Sequence, residues 1–156
     1  NVDNPEVLRE ILSAIDVIGN AHPVLFPVHP RTQRQIKKIG FQIKNTQFME
    51  PLGYLDFLGL MARSKCVLTD SGGIQEETTA LSVPCITIRE NTERPVTLDK
   101  GTNHLAGMEK ANILDVFNKA IKKDYAGIMP ELWDGHAAQR ICDVIDAWKS
   151  NKNHRG

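Results

Sequence analysis

Short, continuous apolar runs alternate with amphipathic helical patterns along this chain, and that alternation constrains its fold more than any other feature. Helical stripes run through Val7, Leu8, Ile11, Leu12, Ile15 and Ile18, and through Ile113, Val116, Phe117, Ala120 and Ile121. Between them, Pro23 to Val28, Thr46 to Met49, Cys66 to Thr69, Cys85 to Ile88 and Thr102 to Ala106 read as strands. Strands that alternate with helices and carry unbroken apolar runs belong to parallel sheets covered on both faces. The expectation is an α/β fold, with one parallel sheet and helices on either side.

Local signals punctuate the helices. Asn4-Pro5-Glu6 opens the first one with a capping Asn, Pro at the first helical position and an acid in the first turn. Thr32 to Ile39 is a short basic helix closed by Gly40, and Tyr54 to Ser64 a helix with Leu55, Leu58 and Met61 inward. Ile74 to Ser82 and Lys110 to Lys123 are helical, with a polar loop from Arg89 to Pro95 and another from Tyr125 to Glu131. Asp134-Gly135-His136-Ala137-Ala138 starts a last helix that ends near Trp148. Residues 1–148 are expected to form one domain, and 149–156 a frayed polar tail.

A chain of 156 residues can bury a sizeable core. Lys plus Arg and Asp plus Glu are 19 each, which removes any electrostatic case for nucleic acid or an anionic membrane as partner. An anion site must therefore be local. Cys66, Cys85 and Cys142 have no metal-ligand spacing and read as buried thiols in a reducing compartment, which places the chain in the cytoplasm. The start is not a signal peptide, and no apolar run is long enough to span a bilayer.

The candidate site is Leu68-Thr69-Asp70-Ser71-Gly72-Gly73-Ile74-Gln75-Glu76-Glu77, read as strand, tight turn and helix. Ser71 stands where a helix cap belongs, and Gly72 and Gly73 leave the first amides uncovered. Free N–H groups at the positive end of a helix dipole make an anion site, most often for phosphate. The plainer alternative is a turn that uses glycine for its backbone freedom. Glu77, too far along to cap, could accept hydrogen bonds from ribose hydroxyls beside a bound phosphate, or be a solvated helical acid. Arg89 and Arg94 sit on a loop expected to overhang the same crevice, where they could clamp a diphosphate or lie in solvent. His29 ends another strand at the same sheet edge, as a ligand contact or a hydrogen-bonded structural histidine. Phe57, near the start of its helix, could flank a nucleobase or simply pack. There is no Ser/His/Asp arrangement, metal cluster or Walker-type lysine, so no metal site is expected.

Taken together, Asp70-Ser71-Gly72-Gly73-Ile74-Gln75-Glu76-Glu77 and Thr92-Glu93-Arg94-Pro95 resemble the non-hydrolysing UDP-N-acetylglucosamine 2-epimerases. Pro27-Val28-His29-Pro30, Asp134-Gly135-His136-Ala137-Ala138 and Arg140-Ile141 match in the same order, so the resemblance covers nearly the whole chain. That family has two Rossmann-like domains in the GT-B arrangement with substrate in the cleft between them, and this chain resembles the second. The resemblance implies that Ser71, Gly72, Gly73 and Arg94 take the diphosphate, Glu77 the ribose and Phe57 the uracil. His29 matches a position that, in some members, lies near a second, regulatory UDP-sugar.

The implied reaction interconverts UDP-N-acetylglucosamine and UDP-N-acetylmannosamine. UDP leaves by anti elimination to a 2-acetamidoglucal and adds back with C2 inverted, and no redox cofactor is needed. The acids credited with proton transfer lie in the first domain, so the catalytic residues are not expected within this chain. A homodimer is the usual family assembly. Alternatives are a UDP-diacetamido-uronic acid 2-epimerase, argued against by Arg94-Pro95 where that branch carries Trp, the UDP-binding half of a GT-B glycosyltransferase, and a non-catalytic UDP-sugar-binding module. The family match also places the central strand of the sheet before Asn1, so the strands ending at Val28 and Thr69 are expected to lack a partner between them.

Overall fold

A computed structural model describes residues 1–125 and 129–153. The elements are α1 (Pro5–Gly19), β1 (Val24–Pro27), α2 (Pro30–Ile39), β2 (Thr46–Met49), α3 (Tyr54–Ala62), β3 (Val67–Thr69), α4 (Gly72–Ala80), β4 (Cys85–Thr87), α5 (Pro95–Asp99), β5 (Asn103–Leu105), α6 (Lys110–Ala120) and α7 (Ala137–Asn153). The first helix starts as its sequence dictates: Asn4 Oδ1 accepts from the amides of Glu6 at 2.9 Å and Val7 at 3.3 Å, with Pro5 following. Residues 126–128 of the expected Tyr125 to Glu131 loop, and 154–156 of the expected tail, lie outside the described residues.

All strand pairing is parallel, but the sheet comes in two pieces. β1 pairs with β2, Val24 opposite Thr46. β3, β4 and β5 pair in that order, with Val67, Cys85 and Asn103 in register. Among the described residues no strand joins β1 to β3, and the two do not close on each other. Backbone polarity shows which groups are left over. The Val28 amide donates to Met49 O at 3.0 Å, so alternation along β1 turns the Leu25 N–H and C=O away from β2. The Val67 amide donates to Pro84 O at 2.9 Å and Thr69 O accepts from Ile88 at 2.8 Å, so the Leu68 groups face away from β4. The Leu25 side chain is 42% exposed, which corrects the expectation of a buried strand: one face of β1 is left partly uncovered.

α1 straps the two pieces together. Its Ile11, Ala14, Ile15 and Ile18 pack with Ile86, Ile88, Ala106, Ile113, Phe117 and Ala120, while Leu8 and Leu12 pack with Val28 and Ile36. Each fully buried Leu or Ile contributes about 1.5–3 kcal/mol of hydrophobic stabilisation. α4 lies against β3, β4 and β5 and touches α3 and α5. Its inward face is polar: Gln75, Thr78 and Thr79 are buried, together with Thr87, Thr97, Thr102 and Asn103. Gly101 is required there, because a Cβ would lie 2.5 Å from Thr97 O and 2.7 Å from Thr79 Oγ1.

Three further expectations are corrected. Leu55 points outward, 77% exposed, because α3 turns only Met61 fully into the core. Cys142 is exposed on α7 and is not a buried thiol. α7 itself extends to Asn153, past the end expected at Trp148, and carries exposed Ile141, Val144, Ile145 and Trp148. Its start is fastened by Arg140, whose guanidinium donates to both carboxylate oxygens of Asp134 (2.9 and 3.0 Å) and to Leu132 O. No helix among the described residues is long and apolar enough to cross a membrane.

Candidate functional site

The C-terminal end of β3 leads into α4 through a tight turn. The Thr69 hydroxyl accepts from the Ser71 amide at 3.1 Å, which pins the turn. Ser71 occupies the cap position of α4 in extended geometry, φ −88 and ψ 130, yet its hydroxyl makes no capping bond. The expected cap is thus absent: the amides at the α4 N-terminus receive nothing from Ser71, and its hydroxyl remains available. Gly72 and Gly73 form the first two helical residues and neither has positive φ. A Cβ on Gly73 would meet nothing within 4 Å, and one on Gly72 only Arg94 Cγ at 4.0 Å. Neither the backbone nor the chain's own packing requires glycine at these positions. What their smallness preserves is open space in front of the helix amides.

Arg94 borders that space. It stands immediately before α5, with Pro95 as the first helical residue, and its Nε lies 3.1 Å from Glu76 Oε1 on α4. Both side chains are about two-fifths exposed, so the pair adds little stability, and the Nε–H itself is buried without a hydrogen-bond partner. Arg89 does not join it. Its carbonyl accepts from Gly107 at 3.2 Å, and the residue lines a cavity of about 290 Å³ with Glu90, Asn112 and Asp115. Of the two loop arginines, only Arg94 is brought to α4.

Glu77 is half-buried on α4, one residue past Glu76. Phe57 is half-buried on α3, the helix that packs beside α4, while Tyr54 at the start of α3 is exposed. His29 lies past the end of β1, across the break in the sheet, where it caps α2: its Nδ1 accepts from the Arg31 amide at 3.2 Å. The ring is exposed, so the capping role leaves one edge open to solvent. Asp70 meets the Asn1 amide group at 3.3 Å, and that group also donates to Ile88 O at 2.8 Å.

Beneath the site runs a hydrogen-bonded layer that sequence reasoning missed. Gln75 Oε1 accepts from Asn103 Nδ2 at 3.0 Å and from Thr92 Oγ1 at 2.5 Å. Asn103 Nδ2 also donates to Thr97 Oγ1 at 3.0 Å, and Asn103 Oδ1 accepts from Thr87 at 2.6 Å. The one available signal was negative: at core-facing spacing, α4 carries Gln75, Thr78 and Thr79 where an apolar stripe belongs. Cys85 is buried and Cys66 half-buried. Desolvation, reinforced by neighbouring Cys85, pushes Cys66 up to about 12, and burial pushes Cys85 up to about 11, which disfavours the thiolate of both. Among the described residues no three His, Cys, Asp or Glu side chains gather to hold a metal.

Parallel strands flanked by helices, with a glycine-opened helix N-terminus at the C-terminal end of β3 and an arginine beside it, define a Rossmann-like α/β domain. The sequence model of the UDP-N-acetylglucosamine 2-epimerases matches residues 1–146, and the chain belongs to that family. It is 40% identical to a UDP-N-acetylglucosamine 2-epimerase of Methanococcus maripaludis over 93% of this chain and 41% of that one. Its fold matches the structure of the UDP-GlcNAc 2-epimerase from Methanocaldococcus jannaschii with a TM-score of 0.84 at 36% identity, covering 94% of this chain and 43% of that one. A structure of the M. jannaschii enzyme in complex with UDP-GlcNAc and UDP matches with a TM-score of 0.83 at 35% identity, covering 94% and 42%. The chain therefore spans about two-fifths of the length of these relatives.

Proposed function

We propose that this chain is the UDP-holding half of a non-hydrolysing UDP-N-acetylglucosamine 2-epimerase, with residues 1–148 as the binding domain and 149–156 as its tail. The observation that carries the reading is the unfilled space at Gly72 and Gly73, in front of the amide end of α4, with Arg94 packed along its side. In this reading the Gly72 and Gly73 amides, the Ser71 hydroxyl and Arg94 receive the diphosphate. Glu77 accepts from the ribose hydroxyls and Phe57 lies beside the uracil. His29, across the break in the sheet, borders a second UDP-sugar.

The reaction asks one thing of such a site. As the bond between the sugar C1 and the diphosphate oxygen breaks, negative charge grows on UDP. Preoriented amides and a guanidinium stabilise that charge without rearranging. UDP is then held for re-addition to the 2-acetamidoglucal with C2 inverted. The groups that move the C2 proton belong to the part of the family's enzymes outside the matched two-fifths, and no residue here is given that role. The chain alone binds UDP without epimerising UDP-N-acetylglucosamine. It works in the cytoplasm, joined to the other domain of the cleft, in a homodimer.

Calorimetry with UDP, uridine and pyrophosphate tests the reading. UDP is expected to bind more tightly than uridine, and Arg94→Ala to weaken UDP by about tenfold while sparing uridine, as for loss of one charged hydrogen-bond partner. UDP binding no tighter than uridine, or an Arg94→Ala variant with unchanged UDP affinity, overturns it.

A further inference from the structure

Arg94 is held by its backbone at both ends, and the two attachments meet. The Thr97 hydroxyl donates to Arg94 O at 2.7 Å. Its single proton is thereby committed, so its oxygen must accept from Asn103 Nδ2 at 3.0 Å. That fixes the Asn103 amide, whose second proton goes to Gln75 Oε1 at 3.0 Å. Gln75 Oε1 also accepts from the Thr92 hydroxyl at 2.5 Å. With its proton committed in turn, Thr92 Oγ1 accepts from the Arg94 amide at 3.0 Å. The circuit Arg94–Thr97–Asn103–Gln75–Thr92–Arg94 is closed, and every donor direction in it is determined by the others.

Resting on the proposed diphosphate role of Arg94, we propose that Gln75 and Thr92 are positioning residues for the nucleotide diphosphate, acting through this ring. Gln75 is rooted in α4, the helix whose first amides face the open space, so the ring ties Arg94 to the helix that shares its ligand. A second observation separates this from ordinary core packing. Gln75 is completely buried, yet its Nε2 has no hydrogen-bond partner. An unpaired buried donor is unfavourable, and an apolar side chain of similar shape would avoid it. What an apolar side chain could not supply is the doubly accepting oxygen at the centre of the ring.

The test uses Gln75→Met, Thr92→Val and Thr92→Ser in the full chain, alone and with Arg94→Ala. Binding of UDP and uridine is measured by calorimetry, and exchange of the Arg94 amide by NMR without ligand. Gln75→Met and Thr92→Val are expected to speed Arg94 amide exchange and to weaken UDP by about fivefold to tenfold, the worth of a hydrogen bond to a charged partner's support. Uridine affinity should hold, Thr92→Ser should restore UDP binding, and no further loss should appear in the Arg94→Ala background. Thr92 is half-exposed, so its variants carry the test if Gln75→Met does not fold. Unchanged Arg94 exchange in Thr92→Val, equal losses for uridine, or a full loss persisting without the Arg94 side chain overturns the positioning role. Faster Arg94 exchange in Thr92→Val together with an Arg94→Ala variant of normal UDP affinity instead sinks the diphosphate assignment and, with it, the ligand the ring was to serve.

Discussion

Replacing Gly73 with Ala should move stability and ligand affinity in opposite directions. Gly73 is the second residue of α4, its φ is not positive, and a Cβ there meets nothing within 4 Å. Under those conditions alanine removes backbone freedom from the unfolded chain at no cost to the folded one, a gain of about 0.4–1 kcal/mol. For a chain of 156 residues that corresponds to a rise in Tm of about 1–4 °C. On the proposed reading, the same methyl occupies the space through which the diphosphate reaches the first amides of α4. Hydrogen bonds to a charged group contribute about 1.5–3 kcal/mol each, so losing one weakens UDP by roughly tenfold to a hundredfold. Scanning calorimetry of the ligand-free variant and titration calorimetry with UDP measure the two effects. A raised Tm with unchanged UDP affinity would refute the assignment of that space to a ligand. A lowered Tm would refute the local geometry, because some contact at Gly73 would then have been lost.

Glu77→Ala should weaken UDP through the ribose while leaving pyrophosphate unaffected, and equal losses for both ligands in calorimetry would remove Glu77 from the ribose. Dithionitrobenzoate at pH 8 should titrate exposed Cys142 quickly and Cys66 and Cys85 only after denaturation, since burial holds both thiols protonated; fast reaction of all three would contradict the core packing. The Arg140 guanidinium and the His136 amide hold the Asp134 carboxyl at about 2, below its ordinary value near 4. Its contribution to the start of α7 is thus complete above about pH 4 and lost as the pH falls through about 2, and Arg140→Gln should raise the Asp134 titration midpoint seen by NMR toward 4. In native-state exchange, the Leu25 and Leu68 amides should exchange faster than those of Val28 and Ile88, which donate across β1–β2 and β3–β4; equal protection would mean that the break between β1 and β3 is bridged.

What the sequence by itself determined is whatever depends on near neighbours. The Asn4-Pro5 start of α1, the period of its apolar stripe, the parallel β/α alternation and the strand–turn–helix at Thr69 to Gly73 are all readable locally, because caps and periodicity act over one or two turns. The two long motifs identified the family for the same reason: they are contiguous. Tertiary structure alone decided the rest. Arg94 and Arg89 look equivalent on one loop, but Arg94 is paired with Glu76 on α4, and its backbone bonds Thr92 and Thr97, whose hydroxyls in turn meet the distant Gln75 and Asn103. The polar underside of α4, the unbonded Ser71 hydroxyl and the outward turn of Leu55 and Cys142 are likewise settled by which surfaces meet. Buried hydrogen bonds between side chains have no period along the chain. Their partners are fixed by distance in space, and that distance exists only once the layers have packed.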